Sequence, residues 1–217
     1  KLNSGNWITK FRARTFNEKE PEMLDWLDNN LKAGDIFFDV GTNVGIYSIY
    51  ASLREPKASV YSFEPEYSNL HQLKLNILEN ELHTKIKPFS IALDEKTGIS
   101  HLHIQDITPG AAKHSVSENI LSKTFTEEEV VWSEGIAIIT IDKFCELSNI
   151  QPNMIKIDVD GTEMAILKGG KKTFSNSKLR TVYIEMDKDK ILCEDLLREY
   201  GFELIKNPND NQIWRRH

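Results

Sequence analysis

Gly34-Asp-Ile-Phe-Phe-Asp-Val-Gly-Thr-Asn-Val-Gly-Ile-Tyr-Ser-Ile-Tyr-Ala-Ser-Leu53 reads as one strand, one tight turn and one helix. Ile36, Phe37, Phe38 and Val40 form a short apolar run with Asp39 inside it, the pattern of a buried strand. Gly41 and Gly45 bracket the turn. From Val44 onward Ile46, Tyr47, Ile49, Tyr50 and Leu53 recur at helical spacing. The turn therefore feeds a helix whose first N–H groups lack partners within it. A ligand is expected at this point, because open parallel sheets bind ligands at the carboxyl ends of their strands.

Two ligand classes use such a turn, and glycine spacing separates them. A dinucleotide fingerprint needs glycine at the first, third and sixth turn positions, which here hold Gly41, Asn43 and Ile46. The chain instead reads Asp39-x-Gly41-x-Asn43-x-Gly45. A carboxylate two residues ahead of the first glycine repels a pyrophosphate and attracts a cation, which favours the sulfonium of S-adenosylmethionine over NAD(P). The bland alternative is an ordinary strand-to-helix turn capped by Asn43.

The 217 residues suit one domain with a sizeable core. We expect an N-terminal arm and helix over residues 1–33, then a catalytic domain over 34–217 with a β-rich excursion at about 98–140. A formal net charge of −6 speaks against a dedicated nucleic-acid binder, and no apolar run reaches the length of a membrane span. Cys145 and Cys193 stand in no metal-ligand or redox spacing, so no metal is assigned and a cytoplasmic setting is expected.

Residues 1–20 mix Trp7, Lys10, Phe11, Arg12, Arg14 and Phe16 without clear periodicity, as an extended arm, a lid or a loose extension would. Pro21 opens a helix with Met23, Leu24, Trp26, Leu27 and Leu31 on its apolar face. Ala58–Phe63 reads as a second strand, followed by a helix starting at Pro65. Glu64, nineteen residues beyond Gly45, stands where a carboxylate accepts hydrogen bonds from a ribose diol. Its structural alternative is a helix cap. Ile86–Leu93 is expected as a third strand, and within the excursion Ile99–Ile104, Val130–Trp132 and Ile136–Ile141 as further strands. The intervening polar segment holds His114, a candidate base, and the Glu127-Glu128-Glu129 run, read as a solvated face. Met154–Val159 is a buried strand ending in Asp158-Val159-Asp160-Gly161, and Thr181–Met186 is another with Glu185 near its tip. Carboxylates at apolar strand ends are costly unless solvated or paired, which marks Asp158, Asp160 and Glu185 as functional candidates. Residues 201–205 and 212–214 suggest a closing antiparallel hairpin.

Asp39-Val-Gly-Thr-Asn-Val-Gly45, Phe63-Glu-Pro65 and Ile155-Lys-Ile-Asp-Val-Asp-Gly161, in that order, resemble the FkbM family of S-adenosylmethionine-dependent methyltransferases. The likeness runs over about residues 34–187 and takes in Ser90-Ile-Ala-Leu93 and Ile139-Thr-Ile-Asp142. It implies an α/β, Rossmann-like, seven-stranded class I methyltransferase sheet. That sheet is mostly parallel, with an antiparallel last strand and helices on both faces. The resemblance also implies methyl transfer to a hydroxyl of a sugar, glycolipid or natural product. Asp39, Gly41, Asn43 and Gly45 would line the methionine end of the donor, and Glu64 would hold the ribose. Pro65, Ser90, Ile91 and Ala92 would flank the adenine, while Asp158 and Asp160 would face methyl and acceptor. Asp160 stands where many relatives carry Glu. A hydroxyl acceptor needs a base, for which Asp158, Glu185 and His114 are candidates. The competing readings are an NAD(P)-dependent oxidoreductase and a non-catalytic binding protein on the same sheet.

Overall fold

The computed structural model describes residues 1–217 apart from 4, 113, 118–128, 187–188, 209–210 and 217, so Glu127 and Glu128 of the acidic run lie outside the described residues. The helices α1 (Trp7–Lys19) and α2 (Pro21–Asn30) precede β1 (Ile36–Val40). Then come α3 (Ile46–Arg54), β2 (Ser59–Phe63), α4 (Tyr67–Glu79) and β3 (Ile86–Phe89). The excursion follows as β4 (Ala92–Leu93), β5 (Gly98–Ile104), β6 (Ser115–Ser117) and β7 (Trp132–Ile139). The chain returns through α5 (Ile141–Ser148), β8 (Met154–Ile157), α6 (Glu163–Lys168), α7 (Lys171–Ser175) and β9 (Thr181–Glu185). It closes with α8 (Lys190–Glu199), β10 (Phe202–Lys206) and β11 (Asn211–Arg216).

The main sheet has the order β10-β11-β9-β8-β1-β2-β3. β11 runs antiparallel to both its neighbours, and every other pairing is parallel. The strand order reverses between β1 and β8. Helices lead away in opposite directions there, which opens a crevice above the two strand tips. Alternation along β1 divides the core: Phe37 packs with Met23, Trp26 and Leu70 on one face, and Phe38 and Val40 with Phe144, Ile166 and Leu197 on the other. Helices therefore cover both faces.

Several elements differ from the sequence reading. The stretch 86–93 is two strands in two sheets, because the chain leaves the main sheet after Phe89 and Ala92–Leu93 pairs with β7. The excursion builds a second sheet, β4-β7-β5-β6, in which 132–139 is one continuous strand and Ile141 already belongs to α5. The helix after Pro65 starts at Tyr67, capped by Glu66, whose carboxylate accepts from Ser68 N at 2.8 Å and Asn69 N at 2.6 Å. Residues 7–19 are neither extended nor loose. Asn6 and Thr9 form a capping box, Asn6 Nδ2 donates to Pro109 O at 2.8 Å, and Arg12 Nε donates to Gly110 O at 2.8 Å. In α2, Trp26 is buried against Phe37 and Tyr183 and donates to Thr181 Oγ1, which seats this helix on the main sheet. Asp142 accepts from Lys172 N, Thr173 N and Thr173 Oγ1, so the acid of the Ile139–Asp142 segment fixes α7.

Candidate active site

A cavity of about 330 Å³ lies over the reversal point. Its wall takes Gly41 and Asn43 from the first turn, Glu64 and Pro65 from the tip of β2, and Ile91 and Ala92 from the crossing between sheets. Asp158 and Asp160 follow β8, Glu185 ends β9, and His114 enters from the excursion. α1 closes it with Arg12, which the sequence reading named only as part of an arm or lid, and Lys19, which it did not name. A helix without a regular apolar stripe gave no signal, because α1 earns its place through polar contacts to the Pro109-Gly110 turn.

The turn itself is spoken for. Gly41 N and Thr42 N both donate to Phe63 O, Asn43 N to Glu64 Oε2, Val44 N to its neighbour's Asn43 Oδ1, and Gly45 N to Thr42 O. Every N–H from 41 to 45 is therefore bonded within the protein, and a pyrophosphate would find no free donor in the turn ahead of α3. Gly41 is needed for packing: at φ +72° a Cβ would lie 1.9 Å from Asp158 O, so only glycine lets the two strand tips approach. Gly45 does not line the cavity, and its hydrogen faces Leu73 instead.

Asp39 is also placed differently from the expectation. It is fully buried on the Phe37 face of β1, absent from the cavity wall, with Oδ2 accepting from Ser48 Oγ at 2.6 Å and Oδ1 3.2 Å from Lys156 Nζ. Lys156, itself 1% exposed, lies 3.1 Å from Asp158 Oδ2 and donates to Gly41 O. Burial opposes its charge, but Asp158 and Asp39 hold the ammonium well above its usual range. Asp39 thus carries a compensated charge, and the carboxylate that reaches the cavity is Asp158. Burial works against ionised Asp158 too, yet the ammonium of Lys156 and a hydrogen bond with Glu185 hold it below the ordinary carboxylate range.

Glu64 is 5% exposed and accepts from Asn43 N at 2.7 Å and Glu66 N at 3.0 Å, one bond per carboxylate oxygen. Burial outweighs those bonds and pushes its pKa up to about 7. Each oxygen keeps a second lone pair for a ligand hydroxyl. Glu66, rather than Glu64, is the helix cap. His114 lines the cavity with both ring nitrogens buried and no hydrogen-bond partner among the described residues, and burial lowers its pKa, so the imidazole is neutral at pH 7. Asp160 Oδ2 accepts from His114 N at 3.0 Å and so fixes this loop. Of the remaining candidates, Pro65, Ile91 and Ala92 line the cavity, whereas Ser90 is exposed and does not. No group of three potential metal ligands occurs among the described residues, and no described helix is long and apolar enough to cross a membrane.

The chain matches the methyltransferase FkbM domain over residues 39–204. It is 26% identical over 151 residues to the hexuronic acid methyltransferase AglP of Haloferax volcanii, covering 69% of this chain and 56% of that protein. It is 25% identical over 198 residues to the 31-O-demethyl-FK506 methyltransferase FkbM of Streptomyces tacrolimicus, covering 81% and 75%. The chain thus spans little more than half the length of AglP. Among solved structures, magnesium protoporphyrin IX methyltransferase from Synechocystis with bound S-adenosylmethionine has the same fold. Its TM-score is 0.54 at 12% identity, with 100% of this chain and 87% of that one covered. An rRNA methylase from Streptococcus thermophilus gives 0.53 at 8%, covering 90% and 94%. The cavity offers chemistry that suits the methyl donor: a buried carboxylate at Glu64, an apolar wall at Pro65, Ile91 and Ala92, and charged side chains of both signs at Asp158, Arg12 and Lys19. The match over residues 39–204 shows that the chain belongs to the FkbM family of S-adenosylmethionine-dependent methyltransferases.

Proposed function

We propose that this chain transfers a methyl group to a hydroxyl of a small molecule, on a sugar, glycolipid or natural product, and that His114 takes the hydroxyl proton. S-adenosylmethionine supplies a methyl group already activated on a sulfonium, so the protein's task is alignment and proton removal. Glu64 binds the ribose diol through its free lone pairs. Asp158, anionic beside Lys156, accepts a hydrogen bond from the donor's amino group or the acceptor. Arg12 and Lys19 face the donor's carboxylate and keep water out from above. Pro65, Ile91 and Ala92 flank the base. The class I arrangement of the sheet, with β11 inserted antiparallel between β9 and β10, is the frame for these roles.

The observation that supports this reading best is His114. Its two nitrogens have no hydrogen-bond partner among the described residues, and burial keeps it uncharged at neutral pH, which is the state a general base must have. Asp158 is the poorer base, because Lys156 makes its carboxylate too acidic to hold the proton. The 31-O-demethyl acceptor in the name of the relative FkbM is consistent with this choice of chemistry, and the acidic net charge favours a small acceptor over a nucleic acid. The test is a radiolabelled methyl-transfer screen over saccharides, glycolipids and hydroxylated natural products, with wild type and His114→Asn. Transfer to a hydroxyl that falls about 10²–10⁴-fold in the variant is expected. Transfer only to RNA, or equal rates in both proteins, would refute the proposal.

A further inference from the structure

The helix that roofs the cavity turns a second face outward. Its inner side is accounted for: Thr9 is buried, Arg12 bonds Gly110, and the Phe16 ring lies 6.1 and 5.5 Å from those of Tyr47 and Tyr50. Trp7, Lys10, Phe11 and Arg14 follow one another at helical i, i+3, i+4, i+7 spacing on the opposite side, all exposed, with Trp7 at 72% and Phe11 at 54%. Ile107 is 58% exposed and stands two residues before Pro109, which is tied to Asn6 at the start of the same helix. Over its 13 residues α1 carries four cationic side chains and one acidic one, on a chain whose net charge is −6. Two large aromatics and two cations are thus presented together on an otherwise acidic molecule.

We propose that this face docks on an anionic membrane surface and holds the cavity at the lipid–water boundary. Trp and Phe side chains settle at the headgroup level, while Lys10 and Arg14 beside them meet lipid phosphates. The acidic remainder of the chain is repelled by the same surface, which leaves α1 as the contact and fixes the orientation. A nucleic acid matches less well, since two cations on the stripe give few phosphate contacts and its aliphatic neighbour Ile107 has nothing to read. The acceptor class that follows is a lipid-borne hydroxyl compound presented at the roofed side of the cavity. Docking is independent of methyl transfer, so the vesicle assay and the transfer assay fail separately.

The experiment is co-sedimentation of the full chain with vesicles of phosphatidylcholine alone and of equal parts phosphatidylcholine and phosphatidylserine. Wild type, Trp7→Ala/Phe11→Ala and Lys10→Glu/Arg14→Glu are compared, each with its thermal melt recorded to show it is folded. Wild type is expected to bind the anionic vesicles and not the neutral ones. Each double variant is expected to bind at least about tenfold more weakly, since one cation near such a surface is worth about fivefold. In a Trp132→Phe background, where Trp26 and Trp214 are buried, brominated lipid is expected to quench Trp7 emission. The proposal is overturned by equal binding of both variants, by no binding of wild type to anionic vesicles, or by retention on RNA or a second copy of the chain in place of lipid.

Discussion

Glu64 ties the pH dependence of this fold to its ligand. The side chain is 5% exposed and its pKa lies at about 7, against 4.5 for a free glutamate. The folded chain therefore holds the proton more tightly than the unfolded one. The resulting stabilisation is fully present below the unfolded pKa and is lost as pH rises through about 7. A gap of about 2.5 units at about 1.36 kcal/mol each comes to about 3 kcal/mol. Glu64→Gln removes the titration. Its amide also sets an NH2 against Asn43 N or Glu66 N, which lowers stability by a similar amount at every pH, so the slope is the readout. Urea denaturation of both proteins from about pH 4 to about pH 8 is expected to show wild type losing about 3 kcal/mol relative to the variant, mostly between about pH 4.5 and 7. Parallel curves, or wild type gaining with pH, would show that the two N–H bonds outweigh burial and would refute the reasoning.

Further outcomes follow from the same geometry. Lys156→Met leaves Asp39 buried without its cation and is expected to lower stability by about 3–5 kcal/mol, measured by denaturant unfolding. Asp39→Asn is expected to cost less, because Asp158 still pairs Lys156 and Ser48 still donates. Gly41→Ala is expected to lower the melting temperature more than Gly45→Ala, since its Cβ meets the backbone of Asp158 whereas that of Gly45 meets the end of the Leu73 side chain, which can shift to another rotamer at lower cost than a backbone. Asp158→Asn is expected to reduce kcat more than it weakens donor binding, as read from single-turnover rates against calorimetric Kd.

The strand–turn–helix at 36–54, the alternation of strands and helices and the carboxyl-end position of Glu64, Asp158 and Glu185 were legible because period and turn chemistry are local properties. What local patterns missed was set by distant partners. Asp39 looked like a ligand-facing charge because its neutralising cation, Lys156, is 117 residues away in sequence. The bonds that occupy the first turn's N–H groups come from Phe63 O, at the end of the next strand, and from Glu64 just beyond it. The apolar stretch 86–93 hid a change of sheet, since both halves are equally apolar. Helix α1 lacked a clean stripe because its inner face docks partly through Thr9 and Arg12 while Trp7 and Phe11 lie on its outer face.

The sharpest test of the cavity assignment is titration calorimetry with S-adenosylmethionine and with NAD, on wild type and Glu64→Ala at about pH 8, where Glu64 is mostly ionised. One site for S-adenosylmethionine, no heat with NAD, and a loss of at least about tenfold in the variant are predicted, as expected for two charge-assisted hydrogen bonds. Binding of NAD, or S-adenosylmethionine affinity indifferent to the loss of Glu64, would contradict the account.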